Sequence, residues 1–594
     1  MKKKSFDIQT VDTSSKPFQE ALNLVQYTQH SVFLTGKAGT GKSTFLKYIT
    51  STTKKKYVVL APTGIAAVNA GGVTLHSFFR LPFYPMLPDD PNLSTQGGRI
   101  YKYFKFNDDM RQILQDIDLI IIDEISMVRA DMIDVIDRIL RVFSRNRRQP
   151  FGGKQLLLVG DVYQLEPVLS REDREHISTF YPNPYFFSAK VFQEMQLVSI
   201  ELTQVFRQKD PDFVALLDRV RNNSARQQDY VALNQRHLQS IPERTDNHDF
   251  AVTLCSRRDT VDAINTEELG KLPGAPVTLL GQIDGEYDEK NLPTNMELHI
   301  KVGAQVIFVK NNAQKLWVNG TVGVISSIDE LQGILYIITE DGIEHTVHQE
   351  MWNNMRYTYN KIKKEIEEEV LGTYTQFPIK LAWAITIHKC QGLTFRRAVI
   401  DLGGGAFAPG MTYVALSRCS HFDGLFLKQP ISQRDVMVRA EVNHFASTFN
   451  NQKHVQQALG DAQADLHYRA ANTAFARSDF DQTLIHLFKA MHLRYDIERP
   501  SVVRLLRRKL GEITRLKSRI KALEDQQEIR DKKLKRLAAE FVQMGDDCLE
   551  HDMLEAAMAN YNKAITVYPK YKRAWSKIRF LEKKNRPSRS SFDE

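Results

Sequence analysis

No apolar run in this 594-residue sequence approaches the length of a helix that crosses a bilayer. Lys2-Lys3-Lys4 has the charge of a leader segment, but Phe6-Asp-Ile-Gln-Thr10 supplies no apolar stretch after it. Cysteine is scarce. Cys255, Cys390, Cys419 and Cys548 are scattered without the paired spacing of a zinc site or a disulfide framework. Strong charge of one sign is also missing: the net charge of +9 is modest for this length, so it permits nucleic-acid binding without demanding it. The expectation from these absences is a soluble protein of a reducing compartment, cytoplasmic and nucleoid-associated if bacterial, with no membrane partner. The chain is too long for one core, so several folding units are expected.

The run Ser31–Thr44 reads as a short apolar strand, a glycine-rich turn and the start of a helix. Its spacing, Gly36-x-x-x-x-Gly41-Lys42-Ser43, is a complete phosphate-binding loop. The backbone of Ala38, Gly39, Thr40 and Gly41 can curl around an anion because the glycines have no Cβ in the way. The helix start at Ser43 and Thr44 adds partial positive charge. Lys42 reaches the β and γ phosphates in such loops, and the Ser43 hydroxyl ligates Mg²⁺. The pattern predicts an ATP site with Mg²⁺.

Four strand-like runs, Val32–Thr35, Tyr57–Ala61, Leu119–Ile122 and Gln155–Val159, are apolar on both faces, as strands of a parallel sheet between helices are. Each ends in a polar or glycine-bearing cluster, and in open α/β sheets ligands bind at the carboxyl ends of strands. Asp123-Glu124 follows the third run. Asp123 is suited to hold the metal and Glu124 to position the attacking water. Gln164, in Gly160–Val168, is placed to sense the γ-phosphate.

The phosphate loop, Ala61-Pro-Thr-Gly-Ile-Ala-Ala67, Thr74-Leu-His-Ser-Phe-Phe79, Asp123-Glu-Ile-Ser-Met127 and Gly160–Val168 follow one another in an order that resembles the superfamily 1 DNA helicases of the Pif and RecD branch. The resemblance implies a 5′-to-3′ motor on single-stranded DNA and DNA forks. It places Thr63, Gly64, His76, Ser77 and Phe78 on the strand track, where rings stack on bases and hydroxyls meet phosphates. At least one of Phe78 and Phe79 is also expected in the core. The stretch Leu81–Gly98, rich in Pro, Asp and Gly, reads as an exposed loop; the resemblance puts a strand-separating wedge there, at about 81–108, and implies that Gln19 contacts adenine. Glu166 stands where the family has a second proline, which predicts a looser loop there.

Farther on, Arg207 in Glu201-Leu-Thr-Gln-Val-Phe-Arg-Gln208 is implied to reach the γ-phosphate, with Arg418 of Tyr413-Val-Ala-Leu-Ser-Arg418 as a second contact. His388, Lys389, Gln391, Gly392 and Thr394 match the family motif that joins DNA phosphates to the nucleotide cleft, with Cys390 replacing a serine. Strands are expected at Ala251–Cys255, Leu381–Ile385, Ala398–Leu402 and Met411–Ser417. Between them, alternating segments within about 298–350, with turns at Asn319-Gly320 and Asp341-Gly342, predict a small inserted β module. An SH3-like barrel stands there in the resembled family.

The organisation expected is α/β, with two RecA-like parallel-sheet domains at 1–200 and 201–435. A linker at 436–463, a tetratricopeptide-like helical region at 464–580 and a disordered tail at 581–594 follow. Gly545, Ala557, Tyr561, Ala564 and Pro569 have the repeat's relative spacing, with a weaker copy at Ala471, Leu487 and Ala490. This region could hold a protein partner. The helix at 501–544 carries a heptad seam, Ile513, Leu516, Ile520, Leu523, then Leu534, Leu537 and Phe541, interrupted by Gln527 and Arg530. Those interruptions favour packing within the chain over a long dimeric coiled coil. Two other readings stay open: an ATPase-switched adaptor, and an RNA helicase.

Overall fold

The computed structural model describes residues 11–208, 210–237, 250–289, 292–496, 498 and 500–584. Residues 11–493 form one unit and 494–584 belong to a second. No helix among the described residues is long and apolar enough to cross a membrane.

In the first unit, six strands build a wholly parallel sheet: β1 (Val32–Gly36), β2 (Tyr57–Ala61), β3 (Val73–Thr74), β4 (Leu119–Ile122), β5 (Gln155–Val159) and β6 (Val198–Leu202). Their spatial order is β3-β2-β4-β5-β1-β6. Every residue of β1, β4 and β5 is buried, which is why their sequence runs show no alternation. A second parallel sheet has the order Ala384–Thr386, Ala251–Cys255, Arg397–Asp401, Leu425–Leu427. Its fourth strand corrects the strand expected at Met411–Ser417. Met411–Leu416 is a helix opened by Gly410 in the left-handed region, and all six of its residues are buried. A helix buried all round carries no 3.6-residue period to read. The expected strand Leu381–Ile385 is likewise divided. Ile379–Leu381 pairs with Gln305–Phe308 in the inserted module, whereas Ala384–Thr386 joins the parallel sheet.

The inserted module contains a five-stranded antiparallel sheet, in the order Glu344–Val347, Ile334–Thr339, Val322–Asp329, Gln305–Phe308, Ile379–Leu381. Its core includes Val306, Phe308, Ile325, Leu335 and Ile337. Beyond 350, where no element is expected, a long hairpin joins Glu350–Asn360 to Glu365–Gln376. The acidic run Glu365–Glu369 reads as solvated surface, yet it is one strand of a ribbon that reaches the first sheet. The Val59 N–H donates to the Tyr357 hydroxyl at 3.1 Å, Tyr359 bonds to Asp116, and Lys361 pairs with Asp109 at 3.1 Å.

Two further expectations are corrected by packing. Segment 436–463 is no linker. Phe445 stacks on Phe187 with ring centroids 4.4 Å apart, and Val455 and Ala458, in the helix Gln452–Ala476, are buried against the first lobe's core. The stretch after Leu81 is anchored by buried Leu81, Met86, Leu93, Ile100, Phe104 and Phe106, with Phe83 and Tyr84 left exposed.

In the second unit the helix Pro500–Glu550 packs its last turns on Leu554–Val567, which is followed by Lys572–Lys584. A Cβ at Gly545 would lie 2.5 Å from the Tyr561 ring, so the close helix approach requires glycine there. Tyr561 donates to Asp546 at 2.6 Å. The helix is continuous to Glu550, past the expected end at 544. Of the expected disordered tail, residues 585–594 lie outside the described residues.

Candidate nucleotide site and adjoining groove

A cavity of about 670 Å³ lies between the two sheets, lined by the phosphate loop from Ala38 to Thr44 and by Asp123, Glu124, Gln164, Arg207 and Arg418. Tertiary folding thus brings six predicted catalytic residues, from positions 42 to 418, to one cleft. Gly36 stands at the carboxyl end of β1 and starts the loop. The helix Lys42–Thr52 begins at Gly41, in the left-handed region at φ 88°, and no side chain caps it. Its first amides are therefore available to an anion. The Lys42 ammonium donates to the carbonyls of Gly36 at 2.6 Å and Lys37 at 3.0 Å, folded onto the loop. Burial pushes its pKa down, and Asp161 and Glu124 oppose that shift.

Ser43 and Asp123 both line the cavity and offer hard oxygen donors of the kind Mg²⁺ prefers. Asp123 Oδ1 accepts from the Glu124 N–H at 2.9 Å. Burial and the neighbouring Glu124 push the Asp123 carboxyl up to about 7. Below that value Asp123 holds a proton that a cation must displace. Nucleotide affinity measured with Mg²⁺ is therefore expected to fall as pH drops through about 7, and Asp123→Asn should lose that pH dependence. Equilibrium titration with a fluorescent nucleotide across pH checks it. Glu124 sits in the left-handed region at φ 50°, an uncommon conformation for a residue with a side chain. Its carboxyl is also raised by burial, against the pull of Lys42 and Arg418.

On the opposite wall, Arg207 donates to the carbonyls of Ser417 at 3.4 Å and Gly392 at 3.3 Å. Burial, then Arg418, lowers its pKa to about 9. Arg418 is almost fully buried and is held by Val414 O at 3.0 Å, Leu393 O at 3.3 Å and the Ser417 hydroxyl at 2.9 Å. Among the described residues neither arginine lies within ion-pair distance of a carboxylate; both line the cleft, and Arg418 acts on Glu124 from farther off. The backbone next to Arg207 is tied to the phosphate loop: the Phe206 N–H donates to Gly39 O at 2.9 Å. A Cβ at Gly39, whose φ is 81°, would lie 2.4 Å from Arg207 Cβ. Gly39→Ala is thus expected to lower ATP turnover at least about tenfold by displacing both parts, since an ångström of misplacement can cost about 10²-fold. Steady-state hydrolysis checks it.

Arg221 and Asp218, which carry no recognisable sequence signal, help motif residues to join the lobes. Arg221, at the end of helix Pro211–Arg221, forms buried ion pairs with Asp161 at 3.0 Å and Glu201 at 3.2 Å, and lies 4.3 Å over the Tyr163 ring. Asp161 in turn accepts from the Gln164 amide at 3.3 Å. The Ala38 N–H donates to the Tyr413 hydroxyl at 3.0 Å, and Lys37 pairs with Asp218. Arg221→Ala would strand Asp161 as a buried charge. A loss of about 3–5 kcal/mol of stability is expected, read as a lowered unfolding midpoint in urea. Phe206, half exposed beside Gly41, with Val11 and Phe18 supplies an apolar wall of the cavity.

Not every predicted residue lies where expected. Gln19 is absent from the cavity lining; its amide donates to Thr13 O at 2.8 Å and so holds the segment that does line it. Gly392 and Thr394 line the nucleotide cavity rather than a strand track. Phe78 is buried, edge-on to Phe79 at 4.8 Å and to Tyr357 at 5.9 Å, so both phenylalanines belong to the core and Phe78 cannot stack on bases. Glu166 does not loosen its loop. It is buried and paired with Arg174 at 2.8 Å and Arg439 at 3.3 Å.

A second groove runs between the lobes and the inserted module, where Gly64 and Asn69 of the first lobe face Lys389 and Gln391 of the second. Lys380, missed in the sequence, lines it too; burial, then Lys389, lowers its pKa to about 8. The Asn319 amide of the module donates to Asn69 Oδ1 at 3.1 Å across the groove. Thr63 is exposed beside it and caps helix Gly64–Ala70 by accepting from the Ala66 N–H at 3.3 Å. His388 lies 6.5 Å from the Phe407 ring, near-parallel to it, and burial lowers its pKa. His76 stacks on exposed Phe83 at 4.8 Å, and Ser77 is exposed next to it.

Two parallel-sheet lobes that close on one triphosphate-binding cleft, with arginines on the wall opposite the phosphate loop, define a P-loop nucleotide-driven motor. Residues 13–229 match the model of the PIF1-like helicase family. The ATP-dependent DNA helicase Pif1 of Campylobacter jejuni is 33% identical over 411 residues, covering 66% of this chain and 87% of that protein. Human ATP-dependent DNA helicase PIF1 is 34% identical over 406 residues, and the chain spans only 58% of its length. Among solved structures, Bacteroides sp Pif1 in complex with ADP-AlF4 superposes with a TM-score of 0.67 at 35% identity, over 74% of this chain and 97% of that one. The Bacteroides helicase in complex with ADP-AlF3 and ssDNA gives 0.53 at 37% identity, over 73% and 96%. The chain belongs to the PIF1-like helicase family.

Proposed function

We propose that this chain is an ATP-dependent DNA helicase that translocates on single-stranded DNA and separates duplex, with 5′-to-3′ polarity. One observation carries the coupling: a single segment serves both sites. Lys389 and Gln391 face the groove, whereas Gly392 and Thr394, a residue or three later, line the nucleotide cavity. Gly392 O also receives Arg207. A change in the phosphate contacts of Arg207 is thus transmitted along a few bonds to the groove.

In this reading Lys42 and the loop amides bind the β and γ phosphates. Ser43 and Asp123 would hold Mg²⁺, which would supply charge neutralisation of the phosphates. Glu124 orients the attacking water and accepts its proton, Arg207 and Arg418 stabilise charge on the γ-phosphoryl oxygens, and Gln164 links their loss to Asp161 and Arg221. Thr63 and Gly64 on one side and His388 and Lys389 on the other grip the strand alternately as the cleft opens and closes. His76, Ser77 and exposed Phe83 lie toward the wedge, where the strands part.

The test is strand separation on forks bearing a 5′ or a 3′ single-stranded tail, with ATP omitted as control. Unwinding of the 5′-tailed fork alone is expected. Unwinding only from a 3′ tail would reverse the polarity, and hydrolysis stimulated by DNA without separation on either fork would reduce the protein to a translocase or switch. RNA-tailed forks, run in parallel, should be poor substrates.

A further inference from the structure

The long helix Pro500–Glu550 does not do what its interrupted seam suggests. From Thr514 to Lys533 every residue is exposed, so no described residue of this unit covers the seam there. Leu516, Ile520 and Leu523 are 60%, 56% and 57% exposed, and Leu510 is 60% exposed. Val503, Lys509 and Ile513 before this stretch are partly buried, and full burial is reached at Ala538 and Val542. A monomer would thus hold a stripe of large aliphatic side chains in water along several turns, which soluble proteins rarely do without a partner.

We infer that this helix pairs with the same helix of a second copy, as a parallel two-stranded coiled coil centred on residues 506–527. The register singles out that occupant. With Ile513 and Ile520 at the first core position of the heptad, Leu516 and Leu523 take the second. β-Branched residues at the former and leucine at the latter are the combination that favours parallel dimers over trimers and tetramers. Leu506 and Gln527 continue the first position, and a single polar residue there sets register and limits oligomer size. The flanking charges agree. In a parallel, in-register pair each flanking residue meets the one five places on in its partner, which brings Glu512 to Lys517 and Arg519 to Glu524. Both pairs are of opposite sign. Arg530 closes the seam at its far end, so the paired segment is short and the association is expected to be concentration-dependent.

This inference concerns residues beyond the family match and is independent of the helicase reading. The measurement is sedimentation velocity on the full chain over a wide concentration range. Twice the chain mass is expected at high concentration and is expected to be lost in Leu516→Glu/Leu523→Glu, with helicity and ATP hydrolysis retained. Arg519→Glu alone should weaken association at least about tenfold, and Arg519→Glu/Glu524→Arg should recover it. Orientation is read by oxidation in a Cys548→Ser background. Ile513→Cys and Ile520→Cys, each alone, should both form a covalent dimer, because like positions face each other only in a parallel register. Monomers at every concentration, or a dimer unaffected by the glutamate pair, would overturn the proposal. Cross-linking at no more than one of the two positions would overturn the parallel register.

Discussion

Glu124→Gln is expected to slow ATP hydrolysis by about 10²–10⁴-fold, the range over which a positioned general base contributes, with nucleotide and single-stranded DNA still bound. The substitution keeps the size and the backbone of the turn. The Glu124 N–H still donates to Asp123 Oδ1, and Met127 N–H to Glu124 O at 3.1 Å. Only the ability to accept a proton is removed. That Glu124 occupies φ 50° indicates that the turn, rather than the residue's own preference, sets where the carboxyl points. Single-turnover hydrolysis together with DNA binding by fluorescence anisotropy makes the measurement. An unchanged rate would move the base elsewhere and remove the central chemical assignment.

Arg207→Ala is expected to lower turnover by about 10³–10⁵-fold, the contribution of an arginine finger in other nucleotide hydrolases. Nucleotide affinity should fall far less. The guanidinium is half-buried in the cleft wall, and among the described residues it donates to the carbonyls of Ser417 and Gly392. Its position is thus set before the transition state forms, and the developing charge on the γ-phosphoryl group meets a donor that needs little reorganisation. Arg207→Lys should recover little, since an ammonium cannot span two carbonyls and a phosphate oxygen in the same fork. Comparable turnover in wild type and Arg207→Ala, with equal nucleotide binding, would leave Arg418 as the finger.

The phosphate loop, Asp123-Glu124 and the strand ends were legible because their chemistry is local. A glycine is needed where the backbone turns on an anion, and an acidic pair stands where an apolar strand stops. The strands themselves were legible because burial on both faces leaves a continuous apolar run. Other elements gave no such signal. Met411–Leu416 is buried on all sides and shows no period, and the ribbon 350–376 is acidic on its solvated face. Phe78 and Phe79 are chemically the same whether they stack on bases or on Tyr357, and only packing distinguishes the two.

What the sequence by itself determined is therefore the class of protein: a phosphate-binding loop, an acidic pair where an apolar strand stops and the family order of motifs. Tertiary structure alone decided which distant side chains share a cleft, because that depends on pairings across hundreds of residues. It placed Arg207 against Gly39, locked Arg221 onto Asp161, and divided one motif so that Lys389 lines the groove while Thr394 lines the cavity beside the phosphate loop. It also moved segment 436–463 into the body of the motor, since Phe445 and Val455 find apolar partners only after the first lobe has folded.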